Sequence, residues 1–187
     1  MARRFHRVLL PCQQGADVKD KIDDRLAFFV REIVTQSEYV FQAVHDAHNR
    51  DSDTKRFWYS VQAFLVAVGN ISRILWPPDK RYVARGKDLR RILGVSDDSL
   101  LSSRTFRNHF EHFDERLESW FVLPKPPGYA DQCIGPLAFL GGLDRPHYLR
   151  NFASDKGLLF FMGKSYEVAS VLAEVEKVCG AARALDS

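Results

Sequence analysis

The chain is poor in cysteine and has no long apolar run. It contains three cysteines in 187 residues, and none of them forms a CxxC pair. Their odd number and wide spacing argue against a disulfide framework or a zinc site, and they favour a reducing compartment. The apolar run near the amino terminus covers only residues 8–10 before Pro11, which is too short for a signal-peptide core. No window approaches the length of a membrane span, so we expect a cytoplasmic protein without membrane contact.

Charge of one sign is not in marked excess either. The chain has 27 Lys and Arg against 24 Asp and Glu, which gives a net charge of +3. A dedicated nucleic-acid binder usually carries a clustered basic face, so this balance permits contact with nucleic acid without requiring it. There is no internal repeat and no low-complexity tract. The length predicts one domain, with residues 1–16 as an irregular amino-terminal segment and residues 17–187 as a single helical domain.

Apolar spacing predicts a long helical hairpin in the first half of the domain. Leu26, Phe29 and Ile33 begin a three-four pattern that predicts a first helix from about residue 17 to residue 49. Ser52 or Asp53 can cap a second helix, and residues 77–78, both proline, end it. A short helix over residues 87–93 and its stop at Gly94 complete this half.

The second half is predicted to hold two further helices and a small insert. Apolar residues at spacings of four, three, four and three mark a third long helix: Phe106, Phe110, Phe113, Leu117 and Trp120. Residues 124–165 are expected to be a loop with a β-hairpin, in which residues 154–157 turn between strands at 148–153 and 158–162. The last helix is predicted over residues 165–182. The expected fold class is mainly all-α, an up-down bundle of four main helices with a hairpin insert before the last one.

One hexapeptide, residues 107–112, carries side chains suited to phosphodiester chemistry. His112 titrates near neutral pH and can move a proton to or from a ribose or leaving-group oxygen. Arg107 can bind phosphate oxygens and stabilise the charge that develops in the transition state. Asn108 lies one helical turn before His112 on the same polar face, where it can orient the histidine or bond a phosphate oxygen. His109 lies beside the apolar seam and is more typical of a packed residue.

The run Arg107-Asn108, three residues, then His112, on the third long helix of a small helical domain, resembles the HEPN superfamily. That resemblance covers residues 17–182 at the level of the fold and the hexapeptide at the level of the motif. It implies a metal-independent endoribonuclease without a cofactor, of toxin or phage-defence type, in which Arg107 and His112 are the catalytic pair and Asn108 supports them. It also implies a homodimer that brings two motifs together, and a nucleotidyltransferase-like antitoxin as a possible partner.

Several alternatives stay open from the residues alone. Arg104 and His109 repeat the spacing of the motif without the asparagine, and both could contact RNA. His45 and His48 could join the histidines of the third helix in a metal site, but the glutamates typical of such sites are missing, so no metal is expected.

The densest basic cluster, within residues 80–91, includes Arg90 and Arg91 as candidate RNA contacts. A charged linker and a short solvated helix also explain the cluster, and this interpretation is favoured. The runner-up function is a non-catalytic module that binds a protein partner, nucleotide or RNA. A purely structural helical protein is the third possibility.

Overall fold

A computed structural model of the chain describes residues 23–49, 53–103, 113–122, 129–140 and 147–186. These residues form five α-helices and one four-stranded sheet. The helices are α1 Asp24–His48, α2 Thr54–Leu75, α3 Val83–Ile92, α4 Phe113–Phe121 and α5 Val168–Asp186. The strands are β1 Ala130–Gly135, β2 Tyr148–Ala153, β3 Leu158–Phe161 and β4 Lys164–Glu167. The fold is mixed α/β, so the predicted all-α bundle of four main helices is wrong.

The predicted helical hairpin is present as α1 and α2, which pack against each other along their apolar stripes. Asp53 caps α2, because its carboxylate accepts hydrogen bonds from the backbone N–H groups of Lys55 and Arg56. The first helix is described from Asp24, and the predicted start near residue 17 lies outside the described residues. Asp23 caps this helix, since its side chain accepts from the N–H of Arg25.

The short helix α3 begins earlier than predicted. Asp79 caps a 3₁₀ turn, Lys80–Tyr82, which leads directly into α3 at Val83. The apolar spacing could not show this start, because the first turn of α3 buries only Gly86. Gly94 ends the helix as predicted, with a φ of 63° that glycine adopts without steric cost.

The predicted β-hairpin is also present, as β2 and β3 joined across residues 154–157. It is the centre of a larger sheet with the order β1-β2-β3-β4, in which β1 runs parallel to β2 and the other pairs are antiparallel. Residues 165–167 of β4 were predicted to open the last helix. They form a strand instead, because Met162 and Gly163 adopt positive φ and turn the chain back along β3.

Strand β1 lies in a segment predicted to be loop. A bulge interrupts its pairing with β2, and Gln132 has a φ of 57° at that point. The fully buried Asn151 holds the bulge, since its amide donates to the carbonyl of Ala130 at 3.0 Å and accepts from the N–H of Cys133 at 3.3 Å. An irregular strand of this kind has no apolar-polar alternation that a sequence pattern could show.

The main core lies between the helices and one face of the sheet. It joins the α1–α2 hairpin, α3 and α5 to Leu159, Phe161 and Tyr166 of the two last strands. A smaller cluster around the fully buried Phe160 includes Ala130 and Tyr148. The sheet is therefore an integral layer of the domain and contributes to its core. Among the described residues, no helix is both long and apolar enough to cross a membrane.

Candidate functional site

The residues predicted to be catalytic lie outside the described part of the chain. This applies to Arg107, Asn108 and His112, and also to the alternative pair Arg104 and His109. The prediction that they form a site stays a prediction. The next described element along the chain is the helix α4, Phe113–Phe121.

Helix α4 is attached to the sheet side of the domain. Trp120 is buried, and its ring meets Tyr129 edge to face, with 5.4 Å between the ring centroids. Arg116 lies close enough to Tyr166 of β4 for its charge to act on the phenol. Burial is the larger influence and raises the pKa of Tyr166 well above its usual value. Burial therefore favours the neutral phenol of Tyr166 over its phenolate.

Two basic residues of α3, Arg90 and Arg91, were predicted to contact RNA. The side chain of Arg90 is bound to other groups of the protein. Its Nε donates to a carboxylate oxygen of Asp97 at 2.8 Å, and Nη1 donates to the carbonyl of Leu75 at the end of α2. Its guanidinium also lies over the Trp76 ring, 5.1 Å from the centroid. Only 11% of its side chain is exposed. Arg90 thus fastens the end of α2 to the segment after α3.

Arg91, the neighbouring residue, is exposed on the outer surface of α3. Lys87, one turn earlier, and Lys80, in the preceding 3₁₀ turn, are exposed as well. None of the three makes a hydrogen bond or an ion pair through its side chain among the residues that the structure describes. These cations are accessible to an anionic ligand, so the geometry favours Arg91 over Arg90 as a candidate RNA contact.

The two histidines at the end of α1 have local partners. His45 Nε2 lies 3.0 Å from the side-chain amide nitrogen of Asn49, and its Nδ1 lies 3.6 Å from a carboxylate oxygen of Asp46. His48 is exposed. Within the described ranges, no group of three or more histidine, cysteine, aspartate or glutamate side chains could hold a metal ion.

A largely apolar cavity of about 430 Å³ lies between the helices and the sheet. The carboxyl end of α1, the first half of α2, the sheet and the start of α5 all contribute to its wall. Its polar groups come from His48, Ser60 and Ser154, and the Ser60 hydroxyl already donates to the carbonyl of Arg56 at 2.9 Å. Cavities of this size and polarity commonly take small apolar ligands. Sequence reasoning missed it because its walls come from elements far apart in the chain.

Arg85 belongs to the basic cluster that the sequence indicated within residues 80–91, but its contact with α1 was not predicted. Its guanidinium lies over the Phe29 ring of α1, with 4.1 Å from Cζ to the ring centroid. Before the fold is known, nothing connects these two residues, because 56 positions separate them in the chain.

Comparisons of this chain with protein-family models, with curated proteins and with solved structures found no match.

Proposed function

We propose that this protein is a metal-independent endoribonuclease of HEPN type. The observation that carries the proposal is the run Arg107-Asn108, three residues, His112, which leads directly into α4. In chain order this run follows the α1–α2 hairpin and precedes the carboxyl-terminal helix α5. The proposal rests on the chemistry of these side chains and on the resemblance of the motif, and not on an all-α fold.

The proposed reaction is an internal transesterification of RNA. His112 accepts the proton of a ribose 2′-hydroxyl, whose oxygen attacks the adjacent phosphorus while the bond to the 5′-oxygen breaks. The 5′-oxygen takes up a proton from a histidine acting as an acid. Arg107 stabilises the additional negative charge on the phosphorane oxygens, and Asn108 orients the histidine or the phosphate. The products are a 2′,3′-cyclic phosphate end and a 5′-hydroxyl end.

The setting that we propose for this reaction is a homodimer in the cytoplasm. Two copies of the motif would face each other, so that one histidine acts as the base and the other as the acid. Toxin or phage-defence proteins of this type occur with a nucleotidyltransferase-like antitoxin, which we propose as the partner class. The exposed cations Lys80, Lys87 and Arg91 support the proposal, since they can attract RNA by its phosphates.

The test is cleavage of mixed RNA by the purified protein in EDTA. We expect Arg107→Ala and His112→Ala each to lower the rate by about 10²- to 10⁴-fold. Arg31→Ala is the matched control. It removes an exposed arginine whose only described ion pair joins α1 to Asp186 of α5, and the rate should not change. The absence of cleavage, or equal rates in all three variants, would refute the proposal.

A second candidate is a non-catalytic module that binds a protein partner, a nucleotide or RNA. The apolar cavity and the accessible cations favour it, because both can bind a ligand without a catalytic histidine. Saturable binding of RNA or nucleotide, without cleavage at any pH tested, would support this candidate over the ribonuclease.

A further inference from the structure

Basic and aromatic side chains meet where the start of α1 lies against α3. This arginine–aromatic cluster consists of Arg25, Phe28, Phe29, Tyr82 and Arg85. Arg85 is at its centre, with Cζ 4.1 Å from the centroid of the Phe29 ring and 5.7 Å from that of the Tyr82 ring. Both rings favour a cation at their faces, so the guanidinium is held in a defined position between α1 and α3.

The hydrogen bonds of Arg85 are incomplete. One terminal nitrogen donates to the carbonyl of Ile74 at 3.3 Å, near the end of α2. Its Nε is buried and has no hydrogen-bond partner among the described residues. Because this nitrogen is closed to solvent, a ligand can reach Arg85 only through the terminal nitrogens of its guanidinium.

A second arginine adds to the positive charge at this place. Arg25 lies one helical turn before Phe29, so both residues are on the same face of α1. Burial, and then the charge of Arg25, lower the pKa of Arg85. Two like charges near each other repel, and an anion bound beside both would relieve that repulsion.

The nearby carboxylates do not neutralise these arginines. Asp23 accepts from the backbone N–H of Arg25 at the start of α1, and Glu32 accepts from the amide of Gln36 at 2.8 Å. Asp24 and Asp88 are exposed. In the part of the chain that the structure describes, neither guanidinium forms an ion pair with any of these acids.

The cluster also presents aromatic surface to solvent. Phe28 is 61% exposed and Tyr82 is 39% exposed. Phe28 also meets Phe29 edge to face, with 5.9 Å between the ring centroids, and most of its side chain remains open to solvent. An exposed ring beside an unneutralised cation matches the way single-stranded nucleic acid is bound, with bases stacked on rings and phosphates on arginines.

We propose that the arginine–aromatic cluster is a binding site for single-stranded RNA, with a phosphate between Arg25 and Arg85 and a base stacked on Phe28. This inference rests on the proposed function in taking RNA as the ligand, but its residues are separate from the motif at 107–112. An acidic peptide could pair with the arginines but would not stack on Phe28. An anionic membrane could contact both the arginines and the exposed ring, so membrane binding is one outcome of the test.

The experiment measures the binding of a fluorescent oligouridine by anisotropy in EDTA. It uses the full chain carrying His112→Ala, so that cleavage does not consume the probe. Into this background we introduce Arg25→Ala together with Phe28→Ala, two exposed side chains whose loss leaves the core intact. We expect about a tenfold or greater loss of affinity at low salt, from one phosphate contact and one stacked base. The slope of log affinity against log salt should fall by about 0.7 for the lost phosphate contact.

Two controls separate this site from general electrostatics. Arg31→Ala in the same background removes one positive charge from the same helix. Affinity should change less than about twofold, because Arg31 does not belong to the cluster that contacts the oligonucleotide. Phe28→Ala alone should lower affinity without changing the salt slope, since a stacked base contributes no counterion release. Thermal unfolding confirms that each variant is folded.

The outcomes are distinct from those of the ribonuclease test. Unchanged affinity and salt slope in the double variant, or no oligouridine binding by the His112→Ala protein, would overturn the proposal. So would binding to vesicles rich in anionic lipid with no binding to the oligonucleotide. If the wild-type protein fails to cleave RNA while the double variant loses binding, the proposed function fails and this inference stands.

Discussion

The two ends of α3 each carry an arginine bound to the end of α2, but the two arginines have different electrostatic surroundings. Arg85 donates to the carbonyl of Ile74 and lies over Phe29, while Arg90 donates to the carbonyl of Leu75 and lies over Trp76. Arg90 also has Asp97 as a counterion, and Arg85 has Arg25 as a neighbour. A cation neutralised inside the protein contributes to the fold. A cation left unneutralised is better placed to bind a ligand.

The largest expected effect comes from Arg90→Ala. The substitution removes the ion pair, the stacking on Trp76 and the donor to the Leu75 carbonyl, so we expect a loss of about 2–3 kcal/mol in the free energy of unfolding. Urea unfolding measures it. Arg91→Ala is the adjacent control and should change stability by less than about 0.5 kcal/mol. Equal effects of the two substitutions would contradict the structural role assigned to Arg90.

Arg85→Met should cost less than the same change at Arg90. Methionine keeps an apolar stem against Phe29 and loses the cation–π contact, but it also removes a partly buried charge and the repulsion from Arg25. We expect a loss of about 1 kcal/mol or less, against about 2 kcal/mol for Arg90→Met. The check is a pair of urea unfolding curves with equal slopes. A larger loss at Arg85 would mean that Arg85 is chiefly structural.

Asp97→Asn should leave Arg90 without a counterion, as Arg85 is among the described residues. Because the Asp97 side chain is 85% exposed, its ion pair is screened, and we expect a stability loss of less than about 1 kcal/mol. The added positive charge lies outside the arginine–aromatic cluster, so it should raise affinity for oligouridine by less than about twofold at low salt. Anisotropy measures this change, and reduced affinity would contradict the electrostatic interpretation.

The smallest effect is expected for Arg25→Ala. It removes a like charge beside Arg85 and a cation at the amino end of α1, where the helix dipole disfavours it. Stability should rise by about 0.3 kcal/mol at low ionic strength, and the gain should disappear at about 1 M salt. A gain that persists in high salt would show that the cause is not electrostatic.

Local patterns in the sequence predicted much of the fold. The α1–α2 hairpin follows from three-four apolar spacing and an aspartate cap, and the β2–β3 hairpin follows from two apolar runs around a turn. Strands β1 and β4 could not be predicted in this way. The first depends on a bulge held by Asn151 from another strand, and the second on pairing with β3 after the turn at Gly163.

The candidate sites were less accessible to sequence reasoning than the fold. Arg90 and Arg91 look equivalent in the sequence, and only the fold shows that Arg90 is bound to Asp97 while Arg91 is exposed. The contact of Arg85 with Phe29 depends on the packing of α3 against α1, which no local pattern encodes. The proposed catalytic motif is the reverse case, because its residues lie within six positions of the chain and the sequence alone suggests their chemistry.

The most direct test of the proposed function is the chemistry of the RNA ends after incubation with the purified protein in EDTA. We predict fragments with 2′,3′-cyclic phosphate and 5′-hydroxyl ends, produced by the wild-type protein and by Arg31→Ala but not by His112→Ala. Intact RNA, or fragments with 3′-hydroxyl ends, would contradict the account.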